Sequence, residues 1–313
     1  MAIQKRILIR NDFIFLYIRN KYSVTIDCGY SNSVKNFLRD LYPDVYKQYI
    51  SDMLKFRKPK KQKMPEIDRS KIIKNIETKK ILSQGKKYGL TFDVESIIFI
   101  KRYLTQRNLN PKRFGYIKNF IGFYEEIING KDYKEYDDPR IIIPFVKNNT
   151  REIYALQGRA IYPKQTPKYF TVIFKEKYGK LYNYYNIDKS KRVYVLEGPI
   201  DSMFLPNACA LAGANVNANL IATLKKFKDI VVVFDNDISY NFDVRKPFDK
   251  IVEAGIPVFI PPHNMGVKDI NDLSVVKGMS NKDIQKYIDD NVFSGVQAKI
   301  RLSLITKRRK DVL

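Results

Sequence analysis

The sequence predicts a mixed α+β and α/β protein: a small amino-terminal β-meander with helices, then a larger body that ends in a mostly parallel sheet. Three observations predict it. Residues 3–28 alternate apolar and polar side chains in short bursts, as a meander does. Strand-forming runs return at 140–182 after a helical stretch. Beyond residue 192, three continuous apolar runs are separated by crossover-length segments, the pattern of parallel strands covered on both faces.

The amino-terminal bursts are Ile7-Leu8-Ile9, Phe13 to Tyr17 and Val24-Thr25-Ile26. Ser31 or Ser33 offers a cap for a following helix that carries Phe37 and Leu38 on its apolar face, because a serine oxygen can accept from the orphan amides of a helix start. A second helix is expected over residues 43–54. Arg57 to Lys63 is basic and contains Pro59; it reads as a solvated linker, or as a tether that touches phosphate. Residues 70–130 are expected to be helical, most clearly from Asp93 to Arg107, with Pro111 beyond the helix end. Strands are expected at Ile141–Phe145, Ile153–Ile161 and Tyr169–Phe174, with Asn148-Asn149 as turn material between the first two. The buried parallel strands are Val193–Leu196, Ile230–Phe234 and Ile256–Ile260, and a last helix covers roughly residues 282–310. No internal repeat is visible.

Charge narrows the partners. Lys and Arg number 57 against 33 Asp and Glu, a formal net charge of +24. A phosphate backbone suits such a field, since each neutralised phosphate releases condensed counterions; an anionic membrane surface is the competing reading. No apolar run approaches the roughly 18 residues of a spanning helix, and no signal-peptide core is present. Cys28 and Cys209 are the two cysteines and His263, after Pro261-Pro262, is the one histidine. That count excludes a disulfide framework and a Cys/His zinc site within one chain. It also leaves a His-dependent nucleophilic triad without a sequence neighbour.

Carboxylates stand where the predicted sheet would place chemistry. Glu197-Gly198 follows the first parallel strand, with Asp201 close behind; Asp235-Asn236-Asp237 follows the second; Lys268-Asp269-Ile270-Asn271-Asp272 follows the third. Ligands of open α/β sheets bind outside the carboxyl ends of the strands. Glu197 and Asp235 lie 38 positions apart, room for a helix and a further short strand. Acids gathered this way repel one another unless a cation lies between them, and Mg²⁺ prefers such hard oxygen donors. Two ions about 3.5–4 Å apart would stabilise the attacking and leaving oxygens of phosphoryl transfer. Taken singly, each acid could instead cap the next helix.

The segments Glu197 to Ser202, Val231 to Asp237 and Lys268 to Asp272 together resemble the Toprim domain, a Rossmann-like, mostly parallel fold shared by bacterial-type primases, type IA and II topoisomerases and some nucleases. Further stretches resemble the DNA primases of T-even-like bacteriophages: Pro139 to Phe145, Leu156-Gln157-Gly158-Arg159-Ala160, Lys168-Tyr169, and a tail running from Gly295 to the basic Lys307-Arg308-Arg309-Lys310. The resemblance spans about residues 85–310 and is most specific after residue 190. It implies metal binding by Glu197, Asp235 and Asp237, with Asp201 and Asp269 as further ligands. It implies that Arg140, Arg159, Lys168 and Lys268 hold template and nucleotide. The bland reading of the basic residues is a solvated surface or structural ion pairing.

The resemblance also implies a domain order: a degenerate zinc-ribbon-like module at 1–55, a basic linker at 56–84, a basic primase subdomain at 85–190, Toprim at 191–280 and a helical tail at 281–313. The implied reaction is synthesis of short RNA primers from ribonucleoside triphosphates on single-stranded DNA with Mg²⁺ or Mn²⁺, in the cytoplasm of an infected bacterium. The implied partners are a hexameric replicative helicase and a single-strand-binding protein, with no membrane. One departure stands out. Cys28-Gly29-Tyr30-Ser31 resembles the last knuckle of the family's zinc ribbon, yet Thr25 stands three residues earlier and no cysteine precedes it. One thiolate makes no structural zinc site, so no zinc is expected. Two other functions compete: a Toprim nuclease, disfavoured by the basic segment at 140–170, and a DNA-binding accessory protein without synthesis, disfavoured by the intact acids.

Overall fold

The computed structural model describes residues 3–9, 12–20, 23–26, 31–33, 43–44, 76–132, 137–163, 165–175, 180–239, 242–262 and 266–310. The chain divides into two compact units, Met1–Ile67 and Asp68–Leu313.

The first unit holds the expected meander. Strands β1 (Ile3–Ile9), β2 (Asp12–Asn20), β3 (Ser23–Ile26) and β4 (Ser31–Ser33) pair antiparallel in chain order. The register sets Ile7 opposite Ile14 and Leu16 opposite Ile26, with an irregularity between Ile18 and Asn20. Ser31–Ser33 pair along the edge of β3, Ser23 with Ser33 and Thr25 with Ser31; the helix that Ser31 or Ser33 is expected to cap lies outside the described residues. Pro43 and Asp44 are helical. Cys28, the helix expected through Phe37 and Leu38, and the rest of the helix expected to residue 54 lie outside the described residues.

The second unit opens with helix α1 (Thr78–Lys87), which occupies the end of the segment expected as linker and buries Ile81 and Gly85. Helix α2 (Ile98–Gln106) begins five residues later than its periodicity suggests. Asp93 is the reason: it accepts from the Ser96 amide at 3.4 Å, and its own amide donates to Thr91 Oγ1 at 3.1 Å. These side-chain bonds hold a bend that competes with helix.

Four antiparallel strands follow: β5 (Gly115–Ile117), β6 (Arg140–Lys147), β7 (Glu152–Ala160) and β8 (Tyr169–Ile173), ordered β5-β6-β7-β8. Helix α3 (Phe120–Asn129) packs on them through Phe120 against Phe170 and Phe123 against Phe174. Gly158 of β7 is required by close approach: a Cβ there would stand 2.7 Å from Arg140 Cδ and 3.0 Å from the Phe120 ring.

The predicted parallel sheet is present and larger than expected. Strands β9 (Val193–Leu196), β10 (Ala208–Ala210), β11 (Ile230–Val233), β12 (Val258–Phe259) and β13 (Val292–Phe293) take the order β10-β9-β11-β12-β13, with only β13 antiparallel. Short helix α4 (Pro199–Ser202), helix α5 (Ala218–Leu224), helix α6 (Phe242–Glu253) and helix α7 (Ile270–Val275) lie between its strands in sequence. The apolar runs serve two cores at once. Tyr194, Leu196, Val231 and Val233 face a core shared with Ile141, Ile143 and Phe145 of β6; Val193, Val195, Val232 and Val258 face a second core closed by Phe248, Ala298 and Leu302.

The last helix is two. Helix α8 (Asn281–Asp289), with a capping box at Ser280 and Asp283, is separated by β13 from α9 (Gly295–Lys310). The break follows from local bonds: Asn291 donates to Tyr287 O at 2.8 Å, and the Ile260 amide donates to Asn291 O at 3.0 Å, which draws Val292 into the sheet.

Candidate active site: carboxylates and cations around one cavity

Parallel pairing of β9 with β11 aligns Leu196 with Val233, so the residues that follow these strands emerge side by side. The Asp235 amide donates to Glu197 Oε1 at 3.1 Å. Buried Asn236 stitches this edge to the third acidic segment: its amide donates to Lys268 O at 3.0 Å and its Nδ2 to Val267 O at 2.8 Å. Asp237 lies on the 3₁₀ turn Asn236–Ser239; its side chain is outside the described residues, as is His263.

Asp201 sits on α4, directly after the turn at Gly198. A Cβ on Gly198 would stand 3.0 Å from Asp201 Oδ2, so glycine leaves room for the carboxylate to fold back. Asp201 accepts from the Asn271 amide at 3.0 Å. Burial, then the neighbouring Asp269 carboxylate, push its pKa up to about 7; the Asn271 amide works in the opposite direction. Asp269 caps α7, accepting from the Asp272 amide at 3.0 Å. The capping role and the site role therefore coincide in this residue.

Glu197, Asp201, Asp235 and Asp269 line a cavity of about 760 Å³ together with the cations Arg107, Arg159, Lys168 and Lys268. Register places Arg159 of β7 against Tyr169 at the start of β8. The buried Arg159 guanidinium lies between the rings of Tyr103, 5.6 Å away, and Tyr169, 5.2 Å away, and donates to the Tyr169 hydroxyl. Lys168 also meets Tyr169, its Nζ 5.6 Å from the ring centre. Burial, then Arg159, Lys268 and Arg107, lower its pKa, and Asp269 opposes them. Tyr169 is pushed up to about 12, chiefly by burial.

Arg140 is the exception among the expected binding residues. It is wholly buried and does not line the cavity. Its Nε pairs with Asp138 Oδ2 at 2.8 Å, Nη1 donates to Pro167 O at 2.8 Å, and the guanidinium lies 5.9 Å from the Phe120 ring centre. An arginine at the start of an apolar strand is drawn inward when a carboxylate and carbonyls wait there. Its effect on the site is indirect: it fixes Pro167, the residue before Lys168.

Sequence reasoning missed Arg107, Asn271, Tyr103 and Tyr169 as parts of the site. Arg107 Nη1 donates to Asn271 Oδ1 at 2.7 Å, and Asn271 Nδ2 donates back to Arg107 O at 2.8 Å. This reciprocal pair fastens the end of α2 to the acidic segment. The i,i+4 spacing of Tyr103 and Arg107 was the available signal, since it sets both on one helix face.

No family model matches the chain. A curated relative does: the DNA primase of Enterobacteria phage T4 is 31% identical over 289 residues, covering 90% of this chain and 80% of that protein. Among solved structures, the zinc-binding and RNA polymerase domains of the Aquifex aeolicus primase superpose with a TM-score of 0.50 at 17% identity, over 92% of this chain and 81% of that one. The second likeness bears on fold alone and agrees with the mixed α/β architecture. The first is too high over too long a span to arise from composition, and the chain belongs to the DNA primases.

Proposed function

We propose that the cavity is the polymerising centre of a DNA-directed RNA polymerase that joins ribonucleoside triphosphates into short RNA primers on single-stranded DNA, releasing pyrophosphate. The observation that carries this is that Glu197 and Asp235, linked by the Asp235 amide donating to Glu197 Oε1 at 3.1 Å, line the same cavity as Arg159, Lys168 and Lys268. Anionic triphosphate and cation-binding acids have to meet in such a centre, and here the two charge types share one cleft.

The donor chemistry fits a hard divalent cation. The cavity offers Glu197, Asp201, Asp235, Asp269 and Asp272, all carboxylates, which suit Mg²⁺ or Mn²⁺ rather than zinc. Among the described residues no three His, Cys, Asp or Glu side chains gather at ligand spacing. On this reading Glu197, Asp235 and Asp237 hold the ions, assisted by Asp201 and Asp269. When bound, such ions neutralise the triphosphate and favour ionisation of the attacking 3′-hydroxyl. The chain's own residues do the positioning. Lys168 and Lys268 meet phosphate oxygens as point charges, and Arg159, locked between two rings, keeps its place without further loss of rotamer freedom.

The parallel sheet supports assignment of residues 191–280 to a Toprim-type catalytic domain, with 85–190 as the basic subdomain and 281–313 as a helical tail. Residues 1–55 serve as a ribbon-like module that works without zinc, joined by the basic stretch at 56–84; metal analysis that found stoichiometric zinc would overturn this. The helicase reading gains support from α9, which exposes Val296, Ile300 and Leu304 on one stripe. A single-strand-binding protein is the further expected partner, and the cytoplasm of the infected bacterium the place of action. No helix among the described residues is long and apolar enough to cross a membrane.

The test is primer synthesis on single-stranded DNA with labelled ribonucleotides and Mg²⁺. Short RNA that vanishes in Asp235→Asn, with DNA affinity retained, is the expected result. Synthesis that survives this substitution would overturn the metal assignment, and degradation of the template would show a nuclease.

A further inference from the structure

The surface of α2 carries a feature that the catalytic cavity does not explain. Ile98 is 74% and Phe99 51% exposed. With Arg102, Tyr103 and Gln106 they line a shallow groove along one helix face. Phe99 packs edge-to-face with Tyr116, ring centres 6.1 Å apart at 88°, a contact that leaves about half of the residue exposed. The helix contains no acidic residue, and Lys101 and Arg102 are both exposed.

The groove is continuous with the active-site wall through Tyr103. That ring lines the groove on one side and carries the guanidinium of Arg107, 5.2 Å away, and that of Arg159, 5.6 Å away. Both arginines line the catalytic cavity. An ordered alternation of cations and rings thus runs from Lys168 through Tyr169, Arg159 and Tyr103 toward Phe99.

We propose that this face of α2 is the path along which single-stranded template reaches the cavity, with bases stacking on Phe99 and backbone phosphates meeting Arg102. The inference rests on the template-directed reading given above. Aromatic faces interleaved with cations are what sequence-tolerant single-strand binding requires, because every base has a π-face and every nucleotide a phosphate. A protein partner would place its own carboxylates against Arg102 and bury Ile98 and Phe99; the series of cation–ring contacts from the cavity to Tyr103, which lines the same groove as Phe99 and Arg102, favours nucleic acid.

The test measures affinity of the full chain for a fluorescent oligo(dT) by anisotropy across a salt series, without nucleotide or Mg²⁺. Phe99→Ala is expected to weaken binding about tenfold with an unchanged salt slope, since stacking releases no counterion. Arg102→Ala is expected to weaken binding and lower the slope by about one. Val276→Ala, at a 63% exposed apolar position outside both the groove and the cavity, serves as control and is expected to change nothing. Thermal melting of each variant establishes that it is folded, and both sites are surface positions. If Phe99→Ala and Arg102→Ala both bind within twofold of the parent chain, the path is wrong and the face belongs to a protein partner. The two readings fail separately: Asp235→Asn tests the chemistry through synthesis, whereas these variants test the path through binding alone.

Discussion

Replacing Arg140 by methionine keeps the buried stem of the side chain and removes its guanidinium. The structure gives that group an ion pair with Asp138 at 2.8 Å and a bond to Pro167 O at 2.8 Å, with side-chain exposures of 0% for Arg140 and 6% for Asp138. Removing one member of a buried pair strands the other charge and costs about 3–5 kcal/mol. Asp138 keeps a second donor, Gln165 Nε2 at 2.5 Å, which places the expected loss near the lower end, about 3 kcal/mol. For a unit of this size that is roughly 6–12 °C in Tm. Differential scanning calorimetry measures it. Primer-synthesis kinetics on the same variant should show KM for nucleotide rising several-fold, because Pro167 no longer fixes Lys168. Asp138→Asn added to Arg140→Met should recover part of the stability, since no charge is then stranded. Loss of DNA affinity with a shallower salt slope and an unchanged Tm would refute the positioning role and restore a direct template contact.

Asn271→Ala removes both bonds to Arg107; a loss of about 1.5–3 kcal/mol in denaturant unfolding is expected, together with weaker nucleotide binding as Arg107 loosens. Gly158→Ala drives a methyl to within 2.7 Å of Arg140 Cδ, and a cost of about 1–3 kcal/mol in the same assay is expected from overpacking. Asp201 gives a pH dependence. Its folded pKa of about 7 lies above the ordinary 3.8, so the folded state holds the extra proton between these values. The metal-free protein should therefore be most stable below about pH 4 as far as this group is concerned, and lose up to a few kcal/mol as pH rises through 7. Asp201→Asn should flatten that slope in a pH series of melting curves, and an unchanged slope would show that the burial of this carboxyl is not felt.

Most of the fold was legible because period and run length carry it. The runs at 193–196 and 230–233 are apolar at every position, and only a strand covered on both faces needs that. The alternation of Tyr194 and Leu196 against Val193 and Val195 between two cores is the physical content of the pattern. The failures were local contests. Asp93 bends the chain where periodicity said helix, and Asn291 turns it where the tail looked continuous. The acids were legible because the ends of parallel strands are a place in sequence as well as in space. Of the four cations expected there, Arg159, Lys168 and Lys268 line the cavity and Arg140 does not, because a surface arginine and a buried one look alike in sequence. Arg140 and Arg159 both flank apolar strand residues, and only the partners that await each, Asp138 for one and two tyrosine rings for the other, separate a scaffold residue from a wall of the site.

The cations and the carboxylates that line the cavity are each unfavourable alone. Lys168 is held below its ordinary pKa by burial and by Arg159, Lys268 and Arg107, and Asp201 above its own by burial and by Asp269. Like charges gathered in one cleft strain the fold unless something of opposite sign arrives. What arrives in primer synthesis has both signs, an anionic triphosphate and the cations that accompany it, and each relieves the charges it meets. The Arg107–Asn271 pair matters for that reason. It ties the end of α2, and with it Arg107, to the segment that bears Lys268, Asp269 and Asp272, so cations and carboxylates keep fixed places around the one cavity that both line.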